Sequence, residues 1–149
     1  VGDGACRFLE QGWEKEPRVH LKSGKWSIRE SMAFAEVADL IIGCETGLLN
    51  AAGQMDAYKI ITLSHSSPEM LTKHWKNTIV LQQPKGVGCP KSPCRQLHGA
   101  AGTDPWLDCP QEPTEGVALC QYHITPDVMF RAIITVLGVP VSITKKKAA

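Results

Sequence analysis

Asp39-Leu40-Ile41-Ile42-Gly43-Cys44-Glu45-Thr46-Gly47 is the stretch on which the fold of this chain turns. From Asp39 to Gly43 it is a short, nearly continuous apolar run closed by glycine, which suits a strand buried on both faces, as in a parallel sheet. Upstream, Ser27-Ile28-Arg29-Glu30 has the form of a capping box, and Ile28, Met32, Ala35, Val37 and Ala38 put one apolar face on the helix that follows. Downstream the unit repeats. Thr46 to Gln54 predicts a helix, and Tyr58-Lys59-Ile60-Ile61-Thr62-Leu63 a β-branched strand. Ser67-Pro68-Glu69 predicts a further helix start, with Pro at the first helical position and an acid in the first turn; His74-Trp75 would end it with the indole inward. Asn77 to Leu81 is the next strand. Thr125-Pro126-Asp127 opens a last helix with Val128, Met129, Ile133, Ile134 and Leu137 as its apolar positions. Strands alternating with helices at this spacing predict an α/β fold, with a mostly parallel sheet near 39–43, 59–64 and 78–82 and helices on both faces.

At 149 residues, 43% hydrophobic and 21% charged, the chain has the size and composition of one globular domain with a real core. A formal net charge of +1 supplies no field for nucleic acid or an anionic membrane. The basic run Lys145-Lys146-Lys147 reads as a solvated tail. No apolar stretch has the length of a transmembrane segment. The chain starts at Val1 with no charged-then-apolar leader, so it reads as soluble and cytoplasmic, and as a piece of something longer.

One stretch breaks the pattern. Residues 84–123 hold six of the ten prolines and four of the six cysteines without any sustained period, and a loop of that length inside a domain needs something to order it. Four residues separate Cys89 from Cys94, fourteen separate Cys94 from Cys109, and ten separate Cys109 from Cys120. Such thiols can close a tetrahedral site for a structural metal, zinc or iron, with His98 and His123 as reserve ligands. Disulfides and unligated thiols are the competing readings. Cys6 and Cys44 read as small apolar core residues.

The end of the first strand is the candidate ligand site. In open α/β sheets ligands bind at the carboxyl ends of strands, where a helix N-terminus offers N–H groups to phosphate. Gly47 lets the backbone come close, Thr46 adds a hydroxyl and Glu45 can accept from sugar hydroxyls. A plain Gly-containing βα turn capped by Thr is the competing reading.

Ala38-Asp39, Glu45-Thr46-Gly47, Asn50 and Ser64-His65-Ser66, in this order, resemble the signature region of glycosyltransferase family 9, the ADP-heptose:lipopolysaccharide heptosyltransferases. That family carries Asp-Thr-Gly, then His on the next helix, then Gly-Pro-Thr at the second turn; here Glu, Asn and Ser-His-Ser stand instead. The resemblance implies a Rossmann-like domain, the C-terminal half of a GT-B fold, with the 84–123 insertion inside it. It implies that Trp26, Glu45, Thr46, Gly47, Asn50, Ser64, His65 and Ser66 bind a nucleoside-diphosphate sugar, with Trp26 near the adenine and Thr46 and Gly47 facing the diphosphate. Val1-Gly2-Asp3 would end an earlier strand near the ribose. Several relatives carry a four-cysteine run, and in the autotransporter heptosyltransferases it holds iron.

A sugar would pass to a glycan or protein acceptor without a redox cofactor, as in lipopolysaccharide biosynthesis. The family's general base lies in an N-terminal GT-B half that this sequence does not contain, so the chain alone is not expected to catalyse transfer. A non-catalytic nucleotide- or glycan-binding module on the same fold is the alternative; a metal-loop module for self-association is a third reading.

Overall fold

The computed structural model describes residues 1–96, 109, 111 and 118–138. His98, Lys145 to Lys147 and the rest of the 84–123 insertion lie outside the described residues. A short 3-10 helix, Gly4–Glu10, precedes α1 (Ile28–Val37), β1 (Leu40–Cys44), α2 (Gly47–Ala52), β2 (Tyr58–Thr62), β3 (Thr78–Leu81) and α3 (Pro126–Leu137).

The helix starts follow their sequence signals. Ser27 Oγ accepts from the Glu30 N–H, and the Glu30 carboxylate accepts from the Ser27 N–H at 2.7 Å, completing the capping box of α1. Thr46 caps α2 and Thr125 caps α3, whose end is closed by Gly138 in the left-handed region at φ 62°. Only Ser31 and Ala35 of α1 are buried, so its inward stripe is narrower than the apolar pattern predicts, and Ile28 and Val37 face outward. In α3 Ala132 is buried and Met129, Ile133, Ile134 and Val136 are half-buried, while Val128 and Leu137 are exposed.

The three strands form a parallel sheet in the order β1-β2-β3, with Ile42 opposite Ile60 and Ile60 opposite Ile79. Ile60 and Ile61 point to opposite faces and both are fully buried, so the central strand is covered on each side. On one side Leu49 of α2 meets Ile61 and Leu63, with Ile41, Leu71, Trp75 and Val80 packed around them. Gly43 makes room for this: a Cβ there would stand 2.9 Å from Leu49 Cδ1. Gly53 does the same for Trp75, whose indole lies 2.8 Å from where its Cβ would be. Helix α3 lies against β2.

Lys59 is the exception in the core. Its side chain is fully buried and its ammonium donates to Met55 O at 2.7 Å and Ala57 O at 2.6 Å, tying the α2–β2 loop to the strand. Burial lowers the lysine pKa, against the pull of Asp56.

Several expectations are corrected. The segment after Ser67 makes a single helical turn: Leu71 and Thr72 N–H groups reach the carbonyls of Ser67 and Pro68, but Trp75 N–H bonds back only to Thr72. The Thr72 hydroxyl competes for the Pro68 carbonyl, and Leu71 and Trp75 are drawn into the core before a second turn can form. Trp75 does turn inward. Val1 to Asp3 form no strand; Gly2 O instead accepts from Gly24 N–H at 2.8 Å. Cys44 is exposed at the end of β1 rather than part of the core, and Cys6 is half-buried. Among the described residues no helix is long and apolar enough to cross a membrane.

Candidate functional site

Parallel pairing makes β1 and β2 end at the same edge, so the turns that follow them, 44–47 and 63–67, stand side by side. Glu45 joins them. Its side chain is 6% exposed. One carboxylate oxygen accepts from Ser66 N–H at 2.8 Å; the other accepts from the Ser64 hydroxyl, from Ser64 N–H at 3.0 Å and from His65 N–H at 3.4 Å. The same oxygen lies 2.9 Å from His65 Nδ1. Burial pushes the Glu45 pKa up, but the hydrogen bonds from Ser64 and Ser66 outweigh it and hold the group below the usual glutamate range. It is therefore a carboxylate at neutral pH, and it faces the neighbouring turn.

The adjoining residues are more open. Thr46 Oγ1 accepts from Leu49 N–H at 3.5 Å as the cap of α2, leaving its hydroxyl proton to donate elsewhere. Nothing lies within 4 Å of a Cβ built at Gly47, so its backbone faces free space. Asn50 is exposed on α2. Trp26 is held in a different setting: its ring packs on Phe34 with centroids 5.2 Å apart, under the Lys22 ammonium at 5.4 Å. No hydrogen bond or ring contact among the described residues links it to the two turns.

The first part of the cysteine segment docks on the same edge. Ser92 Oγ donates to Ser64 O at 3.2 Å, Arg95 N–H to His65 O at 2.9 Å and Gln82 Nε2 to Ser66 O at 3.0 Å. Gln83 clamps Cys89 from both sides of its backbone, at 2.7 and 2.8 Å, and Gln121 reaches Leu63 O at 2.9 Å. Between the docked segment and the end of β3 lies an open cleft of about 770 Å³, lined by Ser67, Pro68, Gln82, Gln83, Lys85 and Ser92 among others. Sequence reasoning missed Gln82, Gln83, Ser92 and Gln121, because a side-chain amide or hydroxyl in an aperiodic segment carries no local signal of the carbonyl it will meet.

The cysteines come together in part. Leu119 N–H bonds to Gln111 O at 3.1 Å, which places Gln111 beside the residue that precedes Cys120. Gly88, next to Cys89, is packed so close to His123 that a Cβ would be 2.9 Å from its ring. Burial raises the pKa of the Cys120 thiol, and the nearby Cys89 and Cys109 thiols add to that, against a hydrogen bond with Gln121. All six cysteines are free thiols, so no disulfide orders the segment. Cys94 directs its thiol at Gln96 O, 3.8 Å away. Among the described residues no three ligating side chains already stand at metal-binding spacing. The thiols suit a thiophilic ion by their chemistry, but among the described residues their placement does not assemble a site for one.

Scans against protein-family models, curated proteins and solved structures found no match to this chain.

Proposed function

We propose that this domain binds a nucleoside-diphosphate sugar at the carboxyl edge of its sheet and serves as the donor-binding part of a sugar transferase of the ADP-heptose type. The observation that supports the reading best is the pairing of the two turns by Glu45, beside a docked loop and an open cleft. Such an edge is where open parallel sheets hold ligands. In this reading the Thr46 hydroxyl and the Gly47 backbone meet the diphosphate, Ser64 to Ser66 and Asn50 line the bound donor, and Trp26 stacks on the base. The sheet is then the Rossmann-like core of a GT-B half, working in the cytoplasm, and the general base and the glycan or protein acceptor come from outside this chain.

The metal belongs to the same proposal. Cys89, Cys94, Cys109 and Cys120 would hold iron or zinc, and the ion would order the insertion that docks on the ligand edge.

One observation favours the alternative of a non-catalytic nucleotide- or glycan-binding module. Both Glu45 oxygens are taken by protein donors, so the carboxylate is not free to orient a sugar.

Titration of the 15N-labelled protein with ADP and with an ADP-sugar tests both readings. ADP is expected to shift the amide signals of Thr46, Gly47 and Ser64 to Ser66, and Thr46→Ala to weaken binding by about 1 kcal/mol for one neutral hydrogen bond. Shifts confined to another face would remove the donor-site assignment. An ADP-sugar that binds no better than ADP would select the binding module over the transferase.

A further inference from the structure

His65 is held in a way that a polar loop histidine is not. Its Nδ1 lies 2.9 Å from the Glu45 carboxylate, and the Ser64 hydroxyl is 3.3 Å from the same nitrogen. The carboxylate is ionised and can only accept, and the Ser64 hydroxyl gives its own proton to that carboxylate, so both neighbours of Nδ1 favour a proton on it. The backbone of His65 is fixed from both ends, its N–H by Glu45 and its carbonyl by Arg95 N–H from the docked loop. No group among the described residues meets Nε2, and the side chain is 24% exposed. A buried acid thus lies against an imidazole whose second nitrogen meets no group among the described residues.

We propose that Glu45 and His65 form an oriented acid–imidazole pair that presents Nε2 to a phosphate group of a ligand bound at the carboxyl edge of the sheet. The pair rests on the nucleotide-binding reading of that edge and assigns Glu45 a different task there, that of a positioning residue. An approaching phosphate draws a proton from solvent onto Nε2. The resulting imidazolium donates to the phosphate through Nε2 and to the Glu45 carboxylate through Nδ1, so its charge is balanced on both sides. No covalent bond forms or breaks. Among the described residues, the other charged or titratable groups near this edge include Glu69 and Lys85, which line the cleft, Lys91 and Arg95 in the docked loop, and His123 packed on Gly88. Lys85 and Arg95 add positive charge for the same anion, while Glu69 opposes it.

The probes are inorganic pyrophosphate and ADP, and the readout is the two-bond 1H–15N spectrum of the histidine rings in the 15N-labelled protein. Without ligand, His65 is expected to show the Nδ1–H tautomer, and pyrophosphate to move its Nε2 signal toward the protonated position. His65→Gln should weaken pyrophosphate binding about tenfold. Glu45→Gln should release the tautomer and weaken binding by a smaller factor; because this variant also loosens the turn, the wild-type ring spectrum is the primary test. An Nε2–H tautomer in the wild-type protein, or an Nε2 signal unmoved by either probe, overturns the proposal. ADP that shifts Thr46 and Gly47 but not the His65 ring leaves the donor site standing and removes the pair. Pyrophosphate that moves Nε2 with no gain from the adenosine of ADP leaves the pair standing and removes the nucleotide reading.

Discussion

Replacing Lys59 with methionine tests the claim that a buried ammonium holds the α2–β2 loop. Methionine keeps the length and most of the volume of the stem, so the substitution removes two hydrogen bonds, of 2.7 and 2.6 Å, with little change in packing. It leaves the Met55 and Ala57 carbonyls without their donor. An unmet buried carbonyl costs about 1–3 kcal/mol. Met55 and Ala57 are half-buried, so water can reach them in part and each cost falls toward the lower end. The desolvation of the ammonium, which the wild-type protein bears, opposes the loss further. The net expectation is a destabilisation of about 2 kcal/mol, a sizeable share of the roughly 5–15 kcal/mol typical of a domain.

Urea unfolding followed by far-UV circular dichroism measures it. With a slope of about 1.5 kcal/mol per molar, the midpoint should fall by roughly 1.3 M with the slope unchanged. Amide exchange should quicken at Tyr58, whose N–H bonds to Asp39 O at the start of the strand. Lys59→Ala should fall further, because it adds a cavity. If Lys59→Met unfolds at the wild-type midpoint while Lys59→Ala does not, the stem and not the ammonium is what the site requires, and the reasoning fails.

Ser27→Ala should cost about 1 kcal/mol by removing the capping box of α1, seen as a lower thermal midpoint; no change would mean that packing on α2 alone sets the helix start. Gly53→Ala places a Cβ 2.8 Å from the Trp75 indole and should destabilise by about 1–3 kcal/mol with a shift in tryptophan emission, although Ala suits the helical backbone there. Glu45 has a lowered folded pKa, so its contribution is present above the unfolded value of about 4.3 and is lost as pH falls through the folded value. Glu45→Gln should therefore flatten the acid limb of the stability profile below about pH 4.3, and a parallel limb would refute the brace. Metal analysis should find about one iron or zinc per chain, and chelation should release the insertion while the sheet stays folded; a metal-free protein with the loop still docked on Ser64 to Ser66 would show that hydrogen bonds alone hold it.

The elements that the sequence states clearly are those set by interactions within a few residues. The capping box at Ser27 and Glu30, the threonine caps at 46 and 125 and the terminating Gly138 depend on groups three or four positions apart, so composition and spacing reveal them. The apolar runs mark β1, β2 and β3 as strands, and their alternation with helices reveals parallel pairing. The expected burial on both faces holds for β2 alone: β1 lies at the edge of the sheet with Ile42 exposed, and β3 is half-buried. Tertiary structure alone decided that the segment after Pro68 stops at one turn, because Leu71 and Trp75 are drawn toward Leu49 and Ile61. It also decided that Lys59, a residue whose type predicts exposure, is buried to reach two carbonyls of the preceding loop. At the site, Glu45, Thr46, Gly47 and His65 were legible as candidates from their place after strands. That Glu45 turns away from the edge to hold His65 was not, because the bond spans twenty residues and exists only once parallel pairing has brought the ends of β1 and β2 together.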